Sequence, residues 1–104
     1  MTDQELLTAA AHAADMPYVW KQSARMMLGA HDSALFWNPL YDDGDTMRLV
    51  VRMHMTVLVS PDGWTDAACP MGPLCRVDHG DAPGVATRRA VVMAVAAMAE
   101  IKQP

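Results

Sequence analysis

The sequence predicts an α+β fold, in which three helices pack around a small, mainly antiparallel sheet of three to five strands in an α/β/α sandwich-like arrangement. Helical patterns occur at both ends and in the middle of the chain, with short β-branched and apolar runs between them. The clearest pair of strands is joined only by Pro61-Asp62-Gly63, which favours antiparallel pairing. The 104 residues, 52% hydrophobic and 19% charged, predict one domain over residues 1–104 with an apolar core.

The first helix is predicted over Asp3–Ala14. The stretch T-D-Q-E at its start is a capping box, in which the Thr2 hydroxyl accepts from the Glu5 amide and the Glu5 side chain accepts from the Thr2 amide. Pro17 disfavours helical backbone at the residue before it, so the helix is expected to end ahead of that proline.

The turn before the second helix concentrates several strong local signals. Asn38 and Pro39 are typical turn residues, because the asparagine side chain bonds nearby backbone and the proline ring fixes its own φ. Trp37 is large and apolar, and we expect it to anchor this turn against the core.

The second helix is predicted over Gly44–His54, with Asp42 or Asp43 as its cap and Asp45 in its first turn. Apolar residues at helical spacing predict the buried face, formed by Met47, Val50, Val51 and His54 and widened by Leu49 and Met53. Arg48 and Arg52 stand on the opposite side, where Asp45 lies three residues before Arg48. This side is expected to be a solvated charge stripe.

The remaining elements follow from β-propensity and turn signals. Strands are predicted at 18–20, within 25–30, at 55–60 and 64–68, with an irregular one at 74–78. The third helix is expected to have Pro83 in its first turn and Asp81 or Thr87 as its cap. Its apolar face is predicted to comprise Val91, Val92, Val95, Met98 and Ala99.

Composition narrows the classes of function. A net charge of −4 with only eight Lys and Arg disfavours nucleic-acid binding, which needs clustered positive charge. Apolar runs are shorter than the roughly 18 residues of a membrane span. The polar, acidic N-terminus does not resemble a signal peptide, so we expect a cytoplasmic protein in which Cys69 and Cys75 are free thiols.

Three carboxylates, Asp42, Asp43 and Asp45, form the first candidate for chemistry. Hard divalent cations prefer several carboxylate oxygens, so this cluster is a weak candidate for a metal site. The spacing D-D-G-D lacks the later glutamate of a calcium loop. Helix capping is the simpler interpretation, and Arg48 and Arg52 would partly neutralise the cluster.

Histidine and cysteine give a second, weaker candidate. His12, His31, His54 and His79 lie in separate segments without metal-ligand spacing. A catalytic pair of Cys75 and His79, with Asp78 beside them, rests on sequence proximity alone. Motifs for serine hydrolases, phosphate loops, dinucleotide folds and zinc proteases are missing from the sequence, so no catalytic residue and no cofactor is predicted.

Two motifs carry a resemblance to a known family. The first motif is similar to the W-N-P-L-x-D-D-G-D-A-x-R-L-A-V pattern of small tailed-phage and prophage proteins of unknown function. In this chain it reads Trp37-Asn38-Pro39-Leu40, then after one residue Asp42-Asp43-Gly44-Asp45, and then Met47-Arg48-Leu49-Val50-Val51. Ala86-Thr87-Arg88-Arg89-Ala90-Val91-Val92 is similar to their A-T-R-R-A-I-V helix. The resemblance implies a phage α/β/α (ABA) sandwich, a phage or prophage origin and the host-cell cytoplasm. It brings no catalytic residue with it.

The leading functional hypothesis is therefore a non-enzymatic phage or prophage accessory protein that acts by contact with a phage or host protein, or as a homo-oligomer. The alternative is a small enzyme or divalent-metal-binding protein that uses Asp42, Asp43 and Asp45. A third, weaker hypothesis is a regulator that binds nucleic acid. Arg88 and Arg89 are expected to approach the aspartates and, with Arg48, to form a polar site between the second and third helices.

Overall fold

The computed structural model describes residues 1–102, in which three helices are separated by two groups of three strands. Gln103 and Pro104, the end of the expected 1–104 domain, lie outside the described residues. The predicted α+β class with three helices is confirmed. In chain order, the elements are α1 (Asp3–Ala13), β1 (Tyr18–Lys21), β2 (Met26–Gly29), β3 (Phe36–Trp37), α2 (Asp43–Arg52), β4 (Thr56–Val59), β5 (Trp64–Ala68), β6 (Cys75–Asp78) and α3 (Pro83–Lys102).

The strands form two antiparallel sheets of three strands each, where the sequence suggested one small sheet. In sheet A the order is β1-β2-β3, and Met27 of β2 lies opposite Trp20 and Trp37. In sheet B the order is β4-β5-β6, and Thr65 of β5 lies opposite Val59 and Val77. Each sheet uses three consecutive strands, because short loops favour local antiparallel pairing. The short strand β3, which the sequence did not predict, completes sheet A.

Helix α1 begins as the capping box predicts. The Thr2 hydroxyl accepts from the Glu5 amide at 3.2 Å, and the Glu5 carboxylate accepts from the Thr2 amide at 3.1 Å. The helix ends at Ala13 with Ala14 as its C-cap, and Asp15 then takes a positive φ of 52°. Helix α1 packs mainly on α3 and buries Leu6, Leu7, Ala10 and Ala11.

The predicted buried face of α2 is partly confirmed. Leu49 is fully buried, and Val50 and Met53 pack against the core, but Met47, Val51 and His54 are exposed. Met47 and Val51 are 61% and 66% exposed, whereas the buried residues of the helix are Asp45, Thr46 and Leu49. Polar contacts to the turn before the helix fix its rotation and outweigh the apolar periodicity. The helix also stops at Arg52, and His54 follows it with a positive φ of 53°, so His54 does not extend the helical stripe.

Helix α3 is the centre of the core and contacts α1, α2, β5 and β6. Small residues allow close approach of its neighbours: Ala90 and Ala94 are fully buried, as are Val92 and Val95. The helix begins at Pro83, and its first backbone hydrogen bond runs from the Ala86 amide to the Ala82 carbonyl. Neither Asp81 nor Thr87 is therefore its cap, and Thr87 lies inside the helix.

The hairpin between β4 and β5 follows the sequence prediction. Gly63 takes a φ of 104° at the tip, a conformation that glycine adopts without a steric penalty. The Ser60 amide donates to the Trp64 carbonyl at 2.8 Å and closes the ladder. Within residues 1–102, none of the helices has the length and apolar character that a membrane crossing requires.

Candidate functional site

The turn before α2 is built around a buried tryptophan. Trp37 is 2% exposed and stacks on Tyr18, with ring centroids 5.4 Å apart and planes 5° from parallel. The Asn38 side chain accepts from the Leu40 amide at 3.1 Å, and the buried Pro39 carbonyl accepts from the Thr46 hydroxyl at 2.6 Å. The turn is thus held by the core on one side and by α2 on the other.

The three aspartates of this segment are used for helix capping and ion pairs. Asp42 is the N-cap of α2, and its carboxylate accepts from the Asp45 amide at 2.7 Å. Asp45 is buried and accepts from the Asn38 amide at 2.9 Å and from Arg48 at 2.7 Å. Asp42 and Asp45 share the guanidinium of Arg48, at 3.8 Å and 2.7 Å, whereas Asp43 pairs with Arg88. In the part of the chain that the structure describes, no three His, Cys, Asp or Glu side chains form a group that could hold a metal ion.

The predicted polar site between α2 and α3 involves Arg88 but not Arg89. The side chain of Arg88 is only 17% exposed and donates to Asp43 at 2.7 Å and to the Leu40 carbonyl at 3.0 Å. Arg89 instead contacts Asp3 of α1 at 3.1 Å. A single helix residue therefore connects the turn and the start of α2 with α3.

Arg52 is exposed, as the predicted solvated stripe requires, but it also makes contacts that the sequence did not indicate. Its guanidinium donates to the backbone carbonyls of Ala14 and Asp15, just past the end of α1. Free carbonyls at a helix C-terminus favour such a positive charge. Arg48 keeps its predicted ion pair with Asp45, and this hydrogen bond raises the pKa of the Arg48 guanidinium.

A chain of hydrogen bonds that the sequence did not indicate links β5, the loop after β6 and α3. The fully buried Thr65 hydroxyl lies 2.8 Å from His79 Nε2 and 2.8 Å from the Thr87 hydroxyl. A hydroxyl beside an imidazole has the spacing of a nucleophile and its base. Thr65 is closed to solvent, so the geometry is that of an internal polar network.

The proposed Cys75–His79 pair is not supported by the positions of the two residues. They lie four positions apart, at the start of β6 and just beyond its end, which corresponds to roughly 13 Å along an extended strand. Both cysteines are free thiols, and burial raises the pKa of each. A raised thiol pKa lowers the thiolate fraction at neutral pH and with it the nucleophilicity.

An apolar groove lies between α2, β4 and α3, with a volume of about 460 Å³. That volume falls within the range of small-molecule sites, roughly 300–1,000 Å³. We call it the α2–β4–α3 groove; its walls are Asp43, Thr46, Met47, Val50, Val57, Val59, Pro83, Gly84, Thr87, Arg88 and Val91. The Asp43–Arg88 ion pair belongs to its lining.

The groove exists because α3 covers β5 and β6 but leaves much of β4 uncovered. The side chains of Val57 and Val59 lie on the same face of the sheet as those of the buried Thr65 and Ala67 opposite them on β5. Val59 is nevertheless 53% exposed. The sequence assigned these valines to a strand and Met47 and Val50 to a buried helix face. The sequence signal for this exposed strand was the presence of apolar residues on both faces of M-T-V-L-V-S. The same pattern also fits a buried strand, and which of the two forms depends on the elements that cover it.

The fold and the groove define a small α+β protein with an apolar, half-open cleft beside an edge strand. In comparisons with protein-family models, with curated proteins and with solved structures, nothing matches this chain.

Proposed function

We propose that this chain is a non-enzymatic phage or prophage accessory protein, and that it acts by binding a protein segment in the α2–β4–α3 groove. The observation that carries the proposal is the incompletely covered apolar side of β4 between two helices, where Val59 is 53% exposed and Val57 is partly buried. Exposed apolar surface in a concave site is typical of protein contact.

The polar side chains that line the groove support binding over catalysis. The Thr46 hydroxyl donates to the Pro39 carbonyl, Thr87 is hydrogen-bonded to Thr65, and Asp43 is paired with Arg88. Each of these groups already has an internal partner. General acid–base chemistry would instead require a group oriented toward the substrate with a suitable pKa.

The phage assignment rests on the resemblance of the two motifs, and their arrangement in space is consistent with a shared role. Arg88, in the A-T-R-R motif, contacts Leu40 and Asp43, which belong to the W-N-P-L and D-D-G-D motif. These residues lie 48 and 45 positions apart in the chain. We propose the host-cell cytoplasm as the site of action, since the resemblance implies it.

An NMR titration tests the groove. The probe is a panel of uncharged hexapeptides with valine or isoleucine at alternate positions, added to isotopically labelled protein. We expect amide shifts that saturate with peptide and are confined to β4, α2 and the first half of α3. No shifts at millimolar peptide, or shifts spread evenly over the protein, would contradict the proposal.

A matched pair of variants makes this test specific. Val59→Glu places a carboxylate in the groove, whereas Val85→Glu places one on the surface of α3, and both valines are 53% exposed. The two variants change net charge equally. We expect Val59→Glu to weaken peptide binding at least tenfold and Val85→Glu to leave it unchanged.

A further inference from the structure

Four strands lie at sheet edges in the described part of the chain, and three of them carry features that discourage pairing with another strand. Strand β1 follows Pro17 and contains Lys21. Strand β3 has only two residues and is closely followed by Pro39. Strand β6 carries Arg76 and Asp78. Charges, prolines and short length are the usual protections of an exposed edge.

Strand β4 differs from these three edges because it combines a length of four residues with no charged side chain, although Pro61 follows it at the same distance as Pro39 follows β3. It consists of Thr, Val, Leu and Val, and its side chains are largely exposed. An uncharged, β-branched edge of this kind is a template for a further strand. The protein has a net charge of −4, but β4 itself carries no charge, so another strand can pair with this edge without meeting a carboxylate of β4.

The hydrogen-bonding direction of β4 follows from one hydrogen bond at its end. The Ser60 amide donates to the Trp64 carbonyl, so Ser60 directs its backbone groups toward β5. Direction alternates along an antiparallel strand. Leu58 therefore also faces β5, while the amides and carbonyls of Val57 and Val59 point away from the sheet, toward the free edge.

We infer that the occupant of this edge is a second copy of the chain, whose β4 pairs antiparallel with the first and joins the two copies of sheet B into one six-stranded sheet. The inference rests on the proposed role of the groove as a protein-contact surface, and it names the partner. A two-fold axis perpendicular to the sheet makes such a contact isologous, with the same patch used by both copies.

The backbone favours one register for this pairing. With the axis at Leu58, Val57 of each copy lies opposite Val59 of the other, and the outward groups of both valines form four hydrogen bonds. An axis at Val57 would place Val59 opposite Met55, whose amide already donates to the Val50 carbonyl. An axis at Val59 would place Val57 opposite Pro61, which has no amide hydrogen.

Side chains are compatible with the same register. Leu58, 56% exposed on the face away from the groove, would meet its own counterpart at the axis. Val59 would meet Val57 of the second copy beside the groove.

The size of the contact sets the expected affinity. The β4 edge and the groove residues beside it number far fewer than the roughly 20–30 residues a side of a standard interface. A weak dimer with a dissociation constant on the order of 10 μM is therefore expected. Sedimentation equilibrium across that range should give a mean mass that rises from monomer toward dimer, and Val59→Glu should weaken the dimer at least tenfold while Val85→Glu leaves it unchanged.

Cysteine cross-linking tests the register. In a Cys69→Ala, Cys75→Ser background checked for folding by circular dichroism, Leu58→Cys should form a disulfide-linked dimer, since a non-hydrogen-bonded pair has a Cα separation of about 4.5 Å. Val57→Cys alone should not, because its counterpart lies roughly 7–8 Å away on the diagonal. Leu74→Cys, with similar exposure on a loop, is the control for random collision.

The outcomes separate this inference from the proposed function. A concentration-dependent dimer with cross-linking favoured at Leu58 over Leu74 supports the inference. A monomer at millimolar concentration that still binds the hexapeptides overturns the second copy as partner and leaves the groove as a binding site. A monomer that binds no peptide overturns both, and a dimer that cross-links equally at Leu58 and Leu74 overturns the register.

Discussion

Replacing Arg88 with alanine should destabilise the protein much more than the same replacement at its neighbour Arg89. The two arginines are adjacent in sequence and lie on the same helix, yet their surroundings differ. Arg88 is 17% exposed and bridges the Leu40 carbonyl and Asp43, whereas the side chains of Arg89 and Asp3 are 39% and 61% exposed and share one contact of 3.1 Å. The pair is therefore an internal comparison of a half-buried arginine with a surface one.

The expected loss of stability follows from the two contacts of the Arg88 side chain. A hydrogen bond from a charged donor to a buried carbonyl contributes about 1.5–3 kcal/mol. The ion pair with Asp43 adds less than about 1 kcal/mol, because that carboxylate is 88% exposed and strongly screened. Arg88→Ala should thus cost about 2–3 kcal/mol, and Arg89→Ala less than about 0.5 kcal/mol.

Thermal unfolding followed by circular dichroism measures this difference. For a domain of this size, each kcal/mol lowers Tm by about 4–8 °C, so Arg88→Ala should lower it by roughly 10–20 °C and Arg89→Ala by less than about 4 °C. Asp43→Asn, combined with Arg88→Ala in a double-mutant cycle, isolates the ion pair and should give a small coupling energy. Equal losses for Arg88→Ala and Arg89→Ala would refute the assignment of Arg88 as the link between the turn and α3.

Three further predictions concern single side chains. Asp45→Ala removes a buried charged acceptor and should lower the free energy of unfolding, measured in urea, by about 2–3 kcal/mol. Asp42→Ala removes one N-cap hydrogen bond and should lower it by about 1 kcal/mol. A larger loss for Asp42→Ala than for Asp45→Ala would contradict the assigned contacts. The pKa of Asp66 lies below its ordinary value of 3.8, chiefly because its carboxylate accepts from Arg76, so its stabilising contribution is complete at neutral pH and is lost as the pH falls below that value. The difference in urea midpoint between wild type and Asp66→Asn should therefore shrink in acid, and a constant difference would disprove the link. Burial raises the pKa of the Cys69 thiol, so its alkylation by iodoacetamide at neutral pH should be slow in the native protein and fast in denaturant, as peptide mass mapping would measure.

Local features were predictable from the sequence because their partners lie close together in the chain. The capping box of α1, the Asp42 cap of α2 and the β4–β5 hairpin each involve residues only a few positions apart. Their geometry depends on backbone hydrogen bonding and on turn preferences, which the sequence states directly. The burial of Trp37 was also predictable, since a large apolar ring beside a rigid turn is costly to expose.

Features that depend on distant contacts were not predictable in the same way. Apolar spacing identified Leu49 as buried but wrongly included Met47 and Val51. The rotation of α2 is fixed instead by hydrogen bonds of Asp45, Thr46 and Arg52 to the turn and to the end of α1. Arg52 and Ala14 are 38 positions apart, and no local pattern reports such a contact.

The features of the candidate site likewise fall into those set by local sequence and those set by contacts between distant residues. The sequence by itself determined the starts of α1 and α2, the hairpin, and the presence of an uncharged, β-branched segment at β4. Only the tertiary structure decided that this segment is an edge strand, that α3 stops short of covering it, and that Arg88 rather than Arg89 turns toward α2. The physical reason is that exposure is a property of what lies beside a residue, and the residues beside β4 and Arg88 come from elements far away in the chain.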